Sequence, residues 1–146
     1  MDLQNFLPYQ LSVLSNKISQ GIASYYHQQH GITISEWRVL ALLSETSDIT
    51  AKELAELSQM DKVKISRTMK VLEGKGLISE KTCLADARAR RYRLTRDGEK
   101  LINQVKPKAI EFENKLIKGL STKDLKLFKN CIHALNMQVE NILREK

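Results

Sequence analysis

The sequence predicts a mainly α-helical chain with one small β-hairpin, and three observations carry that reading. Apolar residues recur every three or four positions along six segments. Sequences that cap helix starts stand at 33–36 (TISE), 50–53 (TAKE) and 121–124 (STKD). One stretch alone, residues 77–95, has two short β-compatible runs joined by a polar turn.

The elements follow in chain order. Pro8 suits a first helical turn, and Leu11, Leu14, Ile18, Ile22 and Tyr25 then mark one stripe of a long helix ending near Gly31. TISE opens a second helix that turns Trp37, Leu40, Ala41 and Leu43 toward a core. TAKE opens a short third helix with Leu54 and Leu57 as its apolar points. Ser58-Gln59-Met60 breaks the pattern, and a fourth helix starts near Asp61 or Lys62 and ends at Gly74 and Gly76. On it Ile65, Met69 and Leu72 share one face, while Val63, Ser66, Arg67 and Lys70 share the other, with Lys64 at its edge. Residues 77–83 and 90–95 form the hairpin; Tyr92 and Leu94 point one way, Arg91 and Arg93 the other. From Arg96 a long helix carries Leu101, Ile102, Val105, Ala109, Phe112 and Leu116, with a kink expected at Pro107. STKD caps the last helix, striped by Leu125, Phe128, Ile132, Leu135, Val139 and Ile142.

The totals bound the function. A chain of 146 residues is long enough for one domain with a real core. The net charge of +7 is uneven: −2 over residues 1–50, +5 over 51–98 and +4 over 99–146. That asymmetry favours a polyanionic partner, nucleic acid or a membrane surface. Two distant cysteines are no disulfide framework. With no secretion signal and no long apolar run, a soluble cytoplasmic protein is expected, with no membrane partner. No nucleophile elbow, phosphate loop or zinc-protease motif appears, so neither an enzyme nor a cofactor is expected.

The short helix, the three-residue break and the following helix make a helix-turn-helix candidate. Lys62, Val63, Lys64, Ser66, Arg67 and Lys70 present small, polar and basic groups of the kind that suits a major groove. Arg67 has the reach for guanine O6 and N7; Ser66, Lys64 and Lys70 suit phosphates or base edges. The bland alternative is a solvated face on an ordinary helical hairpin. The β-hairpin shifts the balance, because DARARRYRLTRDG (86–98) packs five arginines between positions 86 and 96. Arg88 and Arg90 suit a minor groove, and Arg91 and Arg93 suit the phosphate backbone beside it.

That segment resembles the wing signature of the MarR family, Asp-x-Arg, five residues, Leu-Thr-x-x-Gly, and matches it at Asp86, Arg88, Leu94, Thr95 and Gly98. ISRTMKVLEGKGLI (65–78) is similar to that family's recognition helix and its run into the wing, and GITISEWRVLALL (31–43) to its second helix. The resemblance covers essentially the whole chain. It implies a winged helix-turn-helix core over 33–98 within a single domain, 1–146, with 1–31 and 99–146 as dimerisation helices. It also implies a homodimer that represses genes until a small, often aromatic, ligand releases it, and a wing braced by Asp86 through a salt bridge. Independently of the family, the terminal helices carry stripes that a lone helix cannot hide from water, and a two-fold dimer would bind a pseudo-palindromic operator.

Weaker candidates remain. Tyr25, Tyr26, His30, Trp37 and Arg38 suit an aromatic acid, against the plainer reading of Tyr25 and Trp37 as core. His27, His30 and His133 read as ordinary surface histidines, with no metal site expected. Cys131 reads as a buried small hydrophobe, and Cys83 as an ambiguous wing residue. Two other functions stay open: a winged-helix module that binds an acidic protein, and an architectural DNA-binding protein without an effector.

Overall fold

The structure, a computed structural model, describes residues 1–82 and 90–146. Its internal contacts divide the chain into two compact units, Met1–Ala109 and Ile110–Lys146.

In the first unit the helices start where the sequence offers a capping side chain or a first-turn proline. Helix α1 (Leu7–His30) has Pro8 in its first turn and stops at Gly31, whose φ of 66° permits the left-handed cap. Helix α2 (Ile34–Glu45) has the full capping box. Thr33 Oγ1 accepts from the Glu36 N–H at 3.2 Å, and the Thr33 N–H donates to Glu36 Oε2 at 2.6 Å. Thr50 caps α3 (Ala51–Ser58), Gln59 at φ 58° turns the chain, and Asp61 caps α4 (Lys62–Gly74). Strands β2 (Ile78–Thr82) and β3 (Arg90–Leu94) pair antiparallel, with Glu80 opposite Tyr92 and Ser79 opposite Arg93. Helix α5 (Arg96–Leu116) follows directly.

Val39, Leu40 and Leu43 of α2, Leu54 of α3, and Ile65, Met69 and Leu72 of α4 form a core with Tyr26, Ile78, Tyr92, Ile102 and Val105. Burying each large aliphatic side chain stabilises the fold by about 1.5–3 kcal/mol, so this cluster fixes how α4 sits on its neighbours. Thr68 joins the buried face of α4 because its hydroxyl donates to the Lys64 carbonyl at 2.8 Å.

Leu-Thr-x-x-Gly has a physical role here. The Thr95 N–H donates to the Leu77 carbonyl at 3.0 Å, and its hydroxyl donates to the Gly76 carbonyl at 2.6 Å. The same hydroxyl accepts from the Gly98 N–H at 3.1 Å, capping α5. A Cβ on Gly98 would sit 2.1 Å from the Leu77 carbonyl oxygen, which leaves room only for glycine. Thr95 and Gly98 thus fasten the start of α5 to the exit from α4.

Several expectations need correction. A two-residue strand, β1 (Ile49–Thr50), pairs with β3 and makes a three-stranded sheet in the order β1-β3-β2. It is too short for periodicity to reveal, and it exists because Ile49 lies opposite Tyr92. A 3₁₀ turn, Leu3–Asn5, precedes α1. Leu77 and Thr95 lie outside the strands, drawn into the clasp with Gly98. Leu57 is exposed, since the core face of α3 is narrow enough for Leu54 alone to be buried.

The second unit contains the end of α5 and helix α6 (Thr122–Arg144), capped by Ser121. No residue from 110 onward is buried. Phe128, Ile132, Leu135, Val139 and Ile142, expected as one stripe, are all exposed. Cys131, expected to be buried among them, is exposed too, because no described residue of its own unit covers this helix face. Among the described residues no helix is long and apolar enough to cross a membrane.

Candidate nucleic-acid interface

Packing of α4 through Ile65, Thr68, Met69 and Leu72 leaves its opposite face outward. Lys62, Val63, Lys64, Ser66, Arg67 and Lys70 are all exposed. None of the four cations has an acidic partner among the described residues.

An open groove of about 540 Å³ runs beside this face. Lys62, Ser66 and Lys70 of α4 form one wall, Lys52 and Ala55 of α3 another, and Glu80, Arg90 and Tyr92 of the hairpin the third. The sheet register explains the third wall. Glu80 lies opposite Tyr92, and Arg90 is two residues from Tyr92 on the same strand, so all three side chains share the sheet face turned toward α4. Burial, followed by the charges of Glu80 and Glu73, raises the Tyr92 phenol above its ordinary value.

The other hairpin arginines face away from the groove. Arg91 Nη1 donates to the Asp48 carbonyl at 2.8 Å, and Arg93 Nε lies 3.6 Å from Asp48 Oδ1. Asp48 stands at φ 57° in the turn between α2 and β1, a left-handed conformation that Asp tolerates better than most residues. It ties β3 to that turn. Arg90 has a different partner, Glu80, at 3.2 Å. Asp86, Arg88 and Cys83 lie outside the described residues.

Tyr25, Tyr26, His30, Trp37 and Arg38 gather at the end of α1 and the start of α2. Tyr26 is fully buried and stacks on Trp37 with ring centroids 5.5 Å apart. Burial, only partly offset by Arg38, pushes its phenol up to about 12. Tyr25 meets His30 edge-on at 6.1 Å, with the Lys108 ammonium 6.0 Å from its ring centroid. Tyr25 and Trp37 pack on the core, as the plainer reading has it, and Arg38 is exposed. No cluster of metal-ligating side chains occurs among the described residues.

The sequence reading missed Glu36. Its carboxylate, a capping group in the sequence, is buried and also pairs with Lys75 at the end of α4. Lys75 Nζ donates a second bond, at 3.1 Å, to the Gly31 carbonyl. Burial pushes the Glu36 carboxyl up, but hydrogen bonds from Lys75 and Thr33 outweigh it and hold the group below its ordinary value of 4.5. One ion pair thereby joins the α1–α2 corner to the end of α4. No local signal announces it, since the partners stand 39 residues apart.

Comparison with known proteins places this arrangement. The model of the MarR family matches residues 30–89. The chain is similar to a MarR/EmrR family transcriptional regulator from Acinetobacter sp. ADP1, at 27% identity and a TM-score of 0.89, over 97% of this chain and 99% of that one. It is similar to a MarR family transcriptional regulator from Silicibacter pomeroyi DSS-3 at 29% identity and a TM-score of 0.81, over 95% and 98% of the two chains. A mutant MarR from E. coli, complexed with operator DNA, shares the fold at 19% identity and a TM-score of 0.80, over 88% and 92%. A helix-turn-helix beside an arginine-bearing hairpin, a wing root clasped by Thr95 and Gly98, and these matches agree: the chain has the winged-helix fold of the MarR family transcriptional regulators it is similar to, and its residues 30–89 match that family's model.

Proposed function

We propose that the chain binds double-stranded DNA sequence-specifically, with α4 in the major groove and the hairpin alongside it. The observation that carries this reading is the exposed face of α4, where four cations stand without acidic partners among the described residues, beside Ser66 and the methyl groups of Val63. Such a face gains most from phosphates and base edges. In this reading Lys62, Lys64 and Lys70 hold phosphates, Arg67 reads a base, Val63 meets a thymine methyl, and Arg90 reaches the minor groove from the wing root. Arg88 shares that last role, and Asp86 braces the wing. Arg91 and Arg93 fix the hairpin's attitude through Asp48 and add little to phosphate neutralisation.

The protein acts as a homodimer on a pseudo-palindrome whose half-sites lie about 10 bp apart. Support comes from α6, whose apolar stripe is uncovered, and from Leu3, Phe6, Leu7, Leu11 and Leu14 at the chain's start, all exposed. A second copy would remove both from water. The regulator works in the cytoplasm as a repressor, released by a small aromatic acid at the cluster of Tyr25, His30, Trp37 and Arg38, with Tyr26 holding Trp37 in place. His30 Nε2, buried without a hydrogen-bond partner among the described residues, supports a polar ligand there.

Gel shifts with duplexes selected from a random pool test the central reading. Arg67→Ala is expected to weaken binding by about 1–3 kcal/mol and to relax preference at one base position. Binding that is absent, or that ignores sequence in the unmodified protein, would refute it. Thermal shifts with aromatic carboxylates test the effector arm, because a ligand that binds the folded state raises its melting temperature.

A further inference from the structure

We propose that Glu80 is a positioning residue for DNA reading: it grips Arg90 at Nε and leaves the two terminal amino groups of the guanidinium for DNA. The inference rests on the DNA-binding reading above and assigns a role to a carboxylate at the edge of the footprint.

An acidic side chain beside a phosphate-binding surface needs a reason, since it repels the ligand. Glu80 lines the same groove as Lys62, Ser66 and Lys70. Its strand partner is Tyr92, and Arg90 is the diagonal neighbour within reach of a long side chain. The contact runs from Glu80 Oε1 to Arg90 Nε at 3.2 Å, with the Glu80 side chain 28% exposed and that of Arg90 69% exposed. A guanidinium is a planar fork with five donors. Held at Nε by a partly sheltered carboxylate, it keeps four donors at its outer end, and no other described residue pairs with them. The side chain is thereby restricted in rotation before DNA arrives, which lowers the entropy lost on binding. Asp48 holds its arginines elsewhere: its backbone carbonyl takes Arg91 by a terminal nitrogen, its carboxylate meets Arg93 at Nε from 3.6 Å, and both arginines lie on the opposite sheet face.

This role differs from simple charge neutralisation in what it does to sequence preference. A carboxylate that merely lowers the positive potential weakens all DNA binding alike, through counterion release. One that orients Arg90 strengthens only the complex in which Arg90 has a defined place.

The test uses the full chain, a selected operator duplex and a scrambled duplex of equal length. Glu80→Gln is expected to weaken operator binding about 5-fold while scrambled binding stays level or tightens, so the specificity ratio falls. Arg90→Lys keeps the charge but loses the fork, and is expected to match that loss. The double variant is expected to be no worse than either single one, because the residues act as one unit. All three are expected to melt with the unmodified protein, since so exposed a pair contributes little to stability. Glu80→Gln tightening both duplexes equally, leaving both unchanged, or combining multiplicatively with Arg90→Lys would overturn the proposal while leaving the DNA-binding reading intact. An unmodified protein that does not distinguish the two duplexes would overturn that reading itself.

Discussion

Helix α4 and strand β3 both concentrate positive charge, but their surroundings treat it differently. Lys62, Lys64, Arg67 and Lys70 of α4 stand exposed with no acidic partner in an ion pair among the described residues. Every arginine of β3 has a protein partner: Glu80 for Arg90, and Asp48 for Arg91 and Arg93. Cations left unpaired are fully available to an anionic ligand. Cations already held must release or share a partner, so they do more to fix the shape of the surface than to supply its attraction. Counting arginines in DARARRYRLTRDG therefore overstates what the hairpin offers to phosphate.

Substitutions break or sharpen this contrast, from the largest expected effect to the smallest. Gly98→Ala strikes the clasp on which both regions depend. Its Cβ would meet the Leu77 carbonyl, a backbone atom that cannot swing aside, and the expected cost is about 3 kcal/mol, read by thermal or urea unfolding. An unchanged melting temperature would mean that the wing root is not fixed there. Arg67→Ala, with its operator loss of about 1–3 kcal/mol, comes next and is expected to leave stability alone.

Glu36→Gln tests the strut that carries α4. Loss of the charged bonds to Lys75 and Thr33 is expected to cost about 1–2 kcal/mol, the lower range for a buried pair because Lys75 is 38% exposed and stays hydrated. The pH dependence has a definite sign. The folded Glu36 carboxyl lies below its ordinary value of 4.5, so its contribution is complete above that value and is lost as pH falls through the folded one. The variant is accordingly expected to lose less stability than the unmodified protein on acidification below pH 4.5. Parallel acid-unfolding curves would contradict the assignment.

Asp48→Asn is the mildest of the set. It weakens a half-exposed pair with Arg93 but leaves the backbone carbonyl that holds Arg91, so a stability loss under about 1 kcal/mol is expected. Operator affinity is expected to hold or rise slightly as Arg93 is freed. A loss as large as that of Arg67→Ala would place Asp48 in the reading surface and erase the contrast.

What was legible in the sequence was local. Thr33 with Glu36, Thr50, Ser121, Pro8 and Gly31 set helix ends through bonds spanning four residues or fewer, and periodicity gave the buried face of α4. The outward face of α4 followed from the same periodicity. Pairing over distance was not legible. Arg91 and Asp48 are 43 residues apart, and strand β1 exists only because the fold brings Ile49 to Tyr92. Glu36 showed its role as a cap but not its ion pair with Lys75. Cys131 lies in an apolar stripe, which says that a face wants cover and not that the chain itself provides it.

Salt dependence of operator binding tests the central contrast most directly. The logarithm of the binding constant falls linearly with the logarithm of salt concentration, with a slope set by the phosphates neutralised. Measured for the unmodified chain, Lys70→Ala and Arg93→Ala, the slope is expected to shrink by about 1 for Lys70→Ala and to stay parallel to the unmodified line for Arg93→Ala. A slope that shrinks equally for both variants would contradict the division between a free helix face and a tethered strand.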